Sequence, residues 1–183
     1  WHGLDLLIDA FSRVAPRSPK AKLVLVGDGP LREEIEHQVH SLQIADRVLL
    51  TGTVPHEDVV ALLKAAHVAV VSHRSSTAAV SRTPLKLLEY MAAGTAIVAP
   101  ALPNIENIIT HQETGLLVPP DEPEALASAL LNLLQDQALR TKLGRAAERQ
   151  AIKSHSWNRA VSDIECLMRD VTGMSGAILN ARP

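Results

Sequence analysis

Five short apolar runs, at residues 22–26, 47–51, 68–72, 96–99 and 116–118, set the limits on what this chain can fold into. Each is too short for a helix and rich in Val, Ile, Leu or Ala, as strands buried on both faces are. The stretches between them space their apolar residues three and four apart, the helical period. Helices are expected over about 4–14, 31–42, 57–66, 121–135, 138–153 and 157–171, with a shorter one after Pro103 and a central one after Pro84. Strands alternating with helices predict an α/β fold built on a Rossmann-like, doubly wound parallel sheet. Ligands bind such sheets at the carboxyl ends of the strands. There the turn Gly27-Asp28-Gly29-Pro30, Thr53, His73 and the central helix would converge. The turn is not a dinucleotide fingerprint, because Arg32 stands where the third glycine belongs.

The chemistry concentrates in Arg82–Pro100, RTPLKLLEYMAAGTAIVAP. Thr83 is expected to cap a helix, Pro84 to open it and Gly94 to end it. Lys86 and Glu89 are three apart and share a face near its start. The amides of Leu85 and Lys86 have no partner inside the helix, and with the macrodipole they suit an anion such as a pyrophosphate. Glu89, one turn further in, can accept hydrogen bonds from whatever carries that phosphate. A plain buried helix with a Lys–Glu pair on its rim explains the same residues.

The segment resembles the donor-binding signature of retaining glycosyltransferases of the GT-B fold, glycosyl transferases group 1 type. The matching residues are Lys86, Glu89-Tyr90-Met91-Ala92-Ala93-Gly94 and Thr95-Ala96-Ile97-Val98-Ala99. Further matches follow in order along almost the whole chain: Val26-Gly27-Asp28-Gly29-Pro30, Gly52-Thr53-Val54-Pro55, Thr114-Gly115-Leu116-Leu117-Val118 and Ser156-Trp157. The resemblance implies the carboxyl-terminal, donor-binding lobe of a GT-B fold lacking its first strand. It implies a nucleotide-diphosphate sugar as substrate, with no cofactor and no metal. Lys86 and the Leu85 and Lys86 amides would serve the diphosphate and Glu89 the ribose hydroxyls. Gly27 and Gly29 would lie near the donor and Thr53 beside the base. His2 stands at the lysine position of the family's phosphate-binding Arg/Lys pair, and Ser81 where many relatives carry a first glutamate. No catalytic residue falls on this lobe. The acceptor, whether sugar, lipid or small molecule, would be held by a missing amino-terminal lobe, so the fragment alone is expected to be inactive. Helix 4–14, without the strand before it, is expected to expose part of its apolar face.

Two other classes stay open. Ser81 and His2 fit a non-catalytic nucleotide-sugar-binding or regulatory lobe, and an epimerase of GT-B shape would share the fold. Composition narrows the rest. Formal charge is −2 with no block of like charge, against nucleic-acid binding by phosphate neutralisation. The single cysteine, Cys166, excludes a disulfide framework, and reads as a packed or rim thiol. No apolar run reaches membrane length and no signal peptide is recognisable, so a cytoplasmic site, with membrane-peripheral association of the intact protein left open, is the default. Residues 1–171 read as one lobe, 75–81 as a loop mobile when empty, and 172–183 as a disordered tail.

Overall fold

The computed structural model describes residues 2–76, 83–155 and 157–172. Its elements run α1 (Leu4–Val14), β1 (Leu23–Leu25), α2 (Arg32–Ser41), β2 (Val48–Leu50), α3 (His56–Ala65), β3 (Val68–Val70), α4 (Leu85–Ala92), β4 (Ala96–Pro100), α5 (Pro103–Glu106), β5 (Leu116–Val118), α6 (Pro123–Gln135), α7 (Gln137–Ser154) and α8 (Trp157–Thr172). Every strand pair is parallel. β1 pairs with β2, placing Leu23 opposite Val48. β4 lies between β3 and β5, with Val68 opposite Ala96 and Val98 opposite Leu116.

The single sheet expected from the sequence is divided into these two parts. Among the described residues β1 and β3 each keep one edge unpaired. One apolar cluster nonetheless spans both parts, taking in Leu23, Leu25, Val48 and Leu50 together with Val68, Val70, Ala96 and Val98.

β4 shows why its sequence is apolar throughout. Its side chains alternate between two cores: Ala96 and Val98 pack with α1 and α6, Ile97 and Ala99 with α4, α5 and α7. With both faces covered, no position can be polar without an unpaired group in the core. α1 turns Leu7, Ile8, Ala10, Phe11 and Val14 inward, all of them buried. Each large side chain so buried contributes roughly 1.5–3 kcal/mol. The expectation that α1 would expose its apolar face is therefore wrong, because α6 covers it. The exposed apolar surface lies elsewhere: Val24 and Val26 at β1, Leu49 on β2 and Val60 on α3 are 38–56% accessible. No residue of α3 is buried, so its apolar side chains Val59, Val60, Leu62 and Leu63 are at most partly covered.

Local corrections are small. Pro84, not Thr83, occupies the cap position of α4, in extended conformation and with no side-chain cap bond. Because Pro84 itself is extended, at ψ 118°, the first helical residue is Leu85. Gly94 ends the helix at φ +69°, its amide donating to the Met91 carbonyl over 3.0 Å. β4 runs on through Pro100, which sits opposite Val118. Cys166 is exposed on α8. α8 reaches Thr172, one residue into the stretch read as tail. Ser81, most of the 75–81 loop, Ser156 and residues 173–183 lie outside the described residues.

Candidate functional site

The chain enters α1 pressed against the end of β3. Gly3 has φ +62°, and a Cβ there would stand 1.9 Å from the carbonyl oxygen of Ser72. The Ser72 hydroxyl donates to the carbonyl of His2 over 2.8 Å. This double attachment holds His2 at the carboxyl ends of the strands, over the start of α4. Its Nδ1 lies 3.1 Å from Nζ of Lys86. Its ring meets His73 edge-on, with centroids 5.2 Å apart.

Three basic side chains thus crowd one spot, and each is held below its ordinary pKa. For Lys86 the cause is burial. For His2 it is burial first, then the Lys86 charge. His73, buried at 2% accessibility, is lowered to about 4 by burial first, with Lys86 and His2 adding to it. Burial and mutual repulsion both disfavour positive charge at this spot, and a bound anion would relieve them.

The first turn of α4 adds donors. The Leu87 amide already bonds the Pro84 carbonyl, while the Leu85 and Lys86 amides precede the first backbone bond of the helix. Leu85 is 76% exposed and Lys86 half-buried. Glu89 lies one turn on and is exposed. Of the residues expected from the sequence, the structure therefore brings His2, Leu85, Lys86 and Glu89 into one neighbourhood.

Gly27, Gly29 and Thr53 form a second group at the ends of β1 and β2, all exposed. The Gly27 amide donates to the Gly52 carbonyl over 2.9 Å, tying the two turns together. Gly27 needs its glycine for φ +121°. At Gly29 a Cβ would meet nothing within 4 Å. No hydrogen bond or ion pair joins this group to Lys86 among the described residues.

A network absent from the sequence reading fixes the segment after β3. Arg74 pairs with Asp5 in the first turn of α1 and reaches Asp121 at 3.7 Å. The Ser75 amide donates to the same Asp121 carboxylate over 3.2 Å, and its hydroxyl also donates there. Asp121 holds φ +60°, a conformation Asp tolerates better than most residues. Among the described residues no group of three His, Cys, Asp or Glu side chains is placed to hold a metal ion. No helix among them is long and apolar enough to cross a membrane.

The family profile described as "Glycosyl transferases group 1" matches residues 1–150. The chain belongs to that family. It is 31% identical over 179 residues to the phosphatidyl-myo-inositol mannosyltransferase of Mycobacterium tuberculosis H37Rv, covering 96% of this chain and 45% of that protein. Among solved structures it resembles a sucrose-phosphate synthase from Thermosynechococcus elongatus, with TM-score 0.80, 29% identity and coverage of 95% and 43%. It also shares its fold with Anabaena HepE, solved in complex with UDP, at TM-score 0.81, 20% identity and coverage of 95% and 46%. The chain spans between 15% and 45% of the length of the curated relatives it matches. It is the carboxyl-terminal lobe of a group 1 glycosyltransferase of GT-B fold.

Proposed function

We propose that this lobe binds a nucleoside-diphosphate sugar and presents it for retaining transfer of a hexosyl group to an acceptor held by an amino-terminal lobe. The observation that carries the reading is the start of α4. There Lys86 and the Leu85 and Lys86 amides make a donor cluster for a diphosphate, with Glu89 one turn further in for the ribose hydroxyls. Gly27, Gly29 and Thr53 flank the nucleoside, with Ser81 before the helix and His2 beside the phosphates. The HepE complex with UDP supports the choice of ligand class.

The transfer asks little chemistry of this lobe. As the bond to the sugar breaks, negative charge grows on the departing diphosphate, and fixed donors already aimed there stabilise that charge without reorganising. The leaving phosphate itself can take the acceptor's proton, so no side-chain base is needed here. One wall of the cleft is absent from this chain, which alone turns over no donor. A cytoplasmic location, free or at a membrane surface, belongs to the same reading.

Titration calorimetry on the intact protein separates the roles. A hydrogen bond to a charged group contributes on the order of 1.5–3 kcal/mol. Glu89→Gln should weaken both nucleoside and nucleoside diphosphate roughly 10- to 100-fold. Lys86→Ala should weaken the diphosphate far more than the nucleoside. Wild-type nucleoside affinity in Glu89→Gln would return α4 to an ordinary packing helix.

A further inference from the structure

We propose that His2 meets the donor as a neutral imidazole and becomes an imidazolium in the complex, so that donor binding takes up one proton. The inference deepens the donor-binding reading above and rests on it.

The geometry starts the argument. At 3.1 Å from Nζ of Lys86, Nδ1 of His2 is within hydrogen-bond reach of an ammonium. An ammonium has three protons and no lone pair, so it can only donate. Nδ1 must therefore be the acceptor, which leaves it unprotonated in the empty site. The His2 backbone is fixed beside α4, its carbonyl accepting from the Ser72 hydroxyl and Gly3 abutting the Ser72 backbone.

The surrounding charges keep it neutral. α4 contributes Lys86 and the exposed Glu89, and the segment after β3 contributes His73 and Arg74. Arg74 is already matched by Asp5 of α1 and Asp121 after β5. Among the described residues Lys86 faces His2 at hydrogen-bond distance, and its charge opposes protonation.

A diphosphate reverses this. In a nucleotide sugar both phosphates are diesters, each carrying one negative charge across the neutral range. Their oxygens are stronger acceptors for Lys86 than an imidazole nitrogen is. Once Lys86 turns to them, the Nδ1 lone pair faces an anion, and a proton on it converts repulsion into a charge-assisted hydrogen bond. The free ring titrates below 6.5 and the bound ring above its free value, so affinity rises as pH falls between those two values. The slope approaches tenfold per pH unit at its steepest. A nucleoside, with no phosphate to meet His2, shows no such slope.

Calorimetry of the intact protein with UDP-, GDP- and ADP-glucose, from pH 5.5 to 8.5 in buffers of differing ionisation enthalpy, counts the protons directly. Expected is uptake of up to one proton, with a Kd at least fivefold weaker at pH 8 than at pH 6. His2→Lys should bind tightly with a flat profile, and His2→Gln weakly with a flat profile. His73→Gln should keep the slope. Binding without proton uptake, or a slope that survives in His2→Gln, overturns the inference while leaving donor binding intact. Failure of all three nucleotide sugars to bind the wild type removes the donor reading itself, and this inference with it.

Discussion

Gly3→Ala tests the attachment that puts His2 over the site. The substitution meets two obstacles. A left-handed conformation costs a residue with a Cβ about 1–2 kcal/mol. The new Cβ would also stand 1.9 Å from the Ser72 carbonyl oxygen, where ordinary contact begins at 3.4 Å. The entry to α1 must therefore move by about 1.5 Å, and overpacking of that kind costs about 1–3 kcal/mol. Together these give a loss of about 2–5 kcal/mol. For a domain of this size each kilocalorie lowers Tm by roughly 2–4 °C, so a drop of roughly 4–20 °C is expected. Differential scanning calorimetry reads it. Nucleotide-sugar affinity should fall as well, because His2 travels with the displaced backbone. A Gly3→Ala protein that melts within a degree of wild type would refute the pinning, and with it the reason His2 lies beside Lys86.

Gly144 of α7 makes the same point at the far end of α4: a Cβ there would lie 2.1 Å from the Gly94 carbonyl oxygen. Gly144→Ala gains about 1 kcal/mol of helix propensity, yet urea unfolding should show a net loss of about 1–3 kcal/mol because backbone cannot yield as a side chain does; a stabilised variant would contradict the close approach. His73, lowered to about 4 in the folded state from 6.5, binds its proton more readily when unfolded. Its stability contribution is whole above pH 6.5 and is lost as pH falls toward 4, by up to about 1.4 kcal/mol per unit, and His73→Asn should flatten that part of the profile of Tm against pH.

How much of this was legible in the sequence depends on how local the cause is. β5 falls on Leu116–Val118 as read, and α1 on Leu4–Val14, because apolar spacing alone determines them. Gly94 was legible for the same reason, since a left-handed residue just past a helix is a local demand. Thr83 misled because Pro84, compatible with the first helical position, instead takes the extended conformation of the cap itself. The division of the sheet could not be read from the strands, each of which looks equally apolar whether or not both its edges are paired. Lys86 and Glu89 share a helix face by spacing. The contact of Lys86 with His2 joins residues 84 apart, and only the fold brings them together. Arg74, Ser75 and Asp121 carry no local signal at all: their network depends on β3 and β5, on either side of β4, ending at the same edge of the sheet.

The central claim, that the start of α4 holds the diphosphate of a nucleotide-sugar donor, is tested most directly by a crystal structure of the intact protein with a nucleoside diphosphate bound. The account predicts phosphate oxygens within hydrogen-bond distance of Lys86 Nζ and of the Leu85 and Lys86 amides, with the ribose hydroxyls on the Glu89 carboxylate. An ordered nucleotide seated elsewhere, with none of those groups in contact, would contradict it.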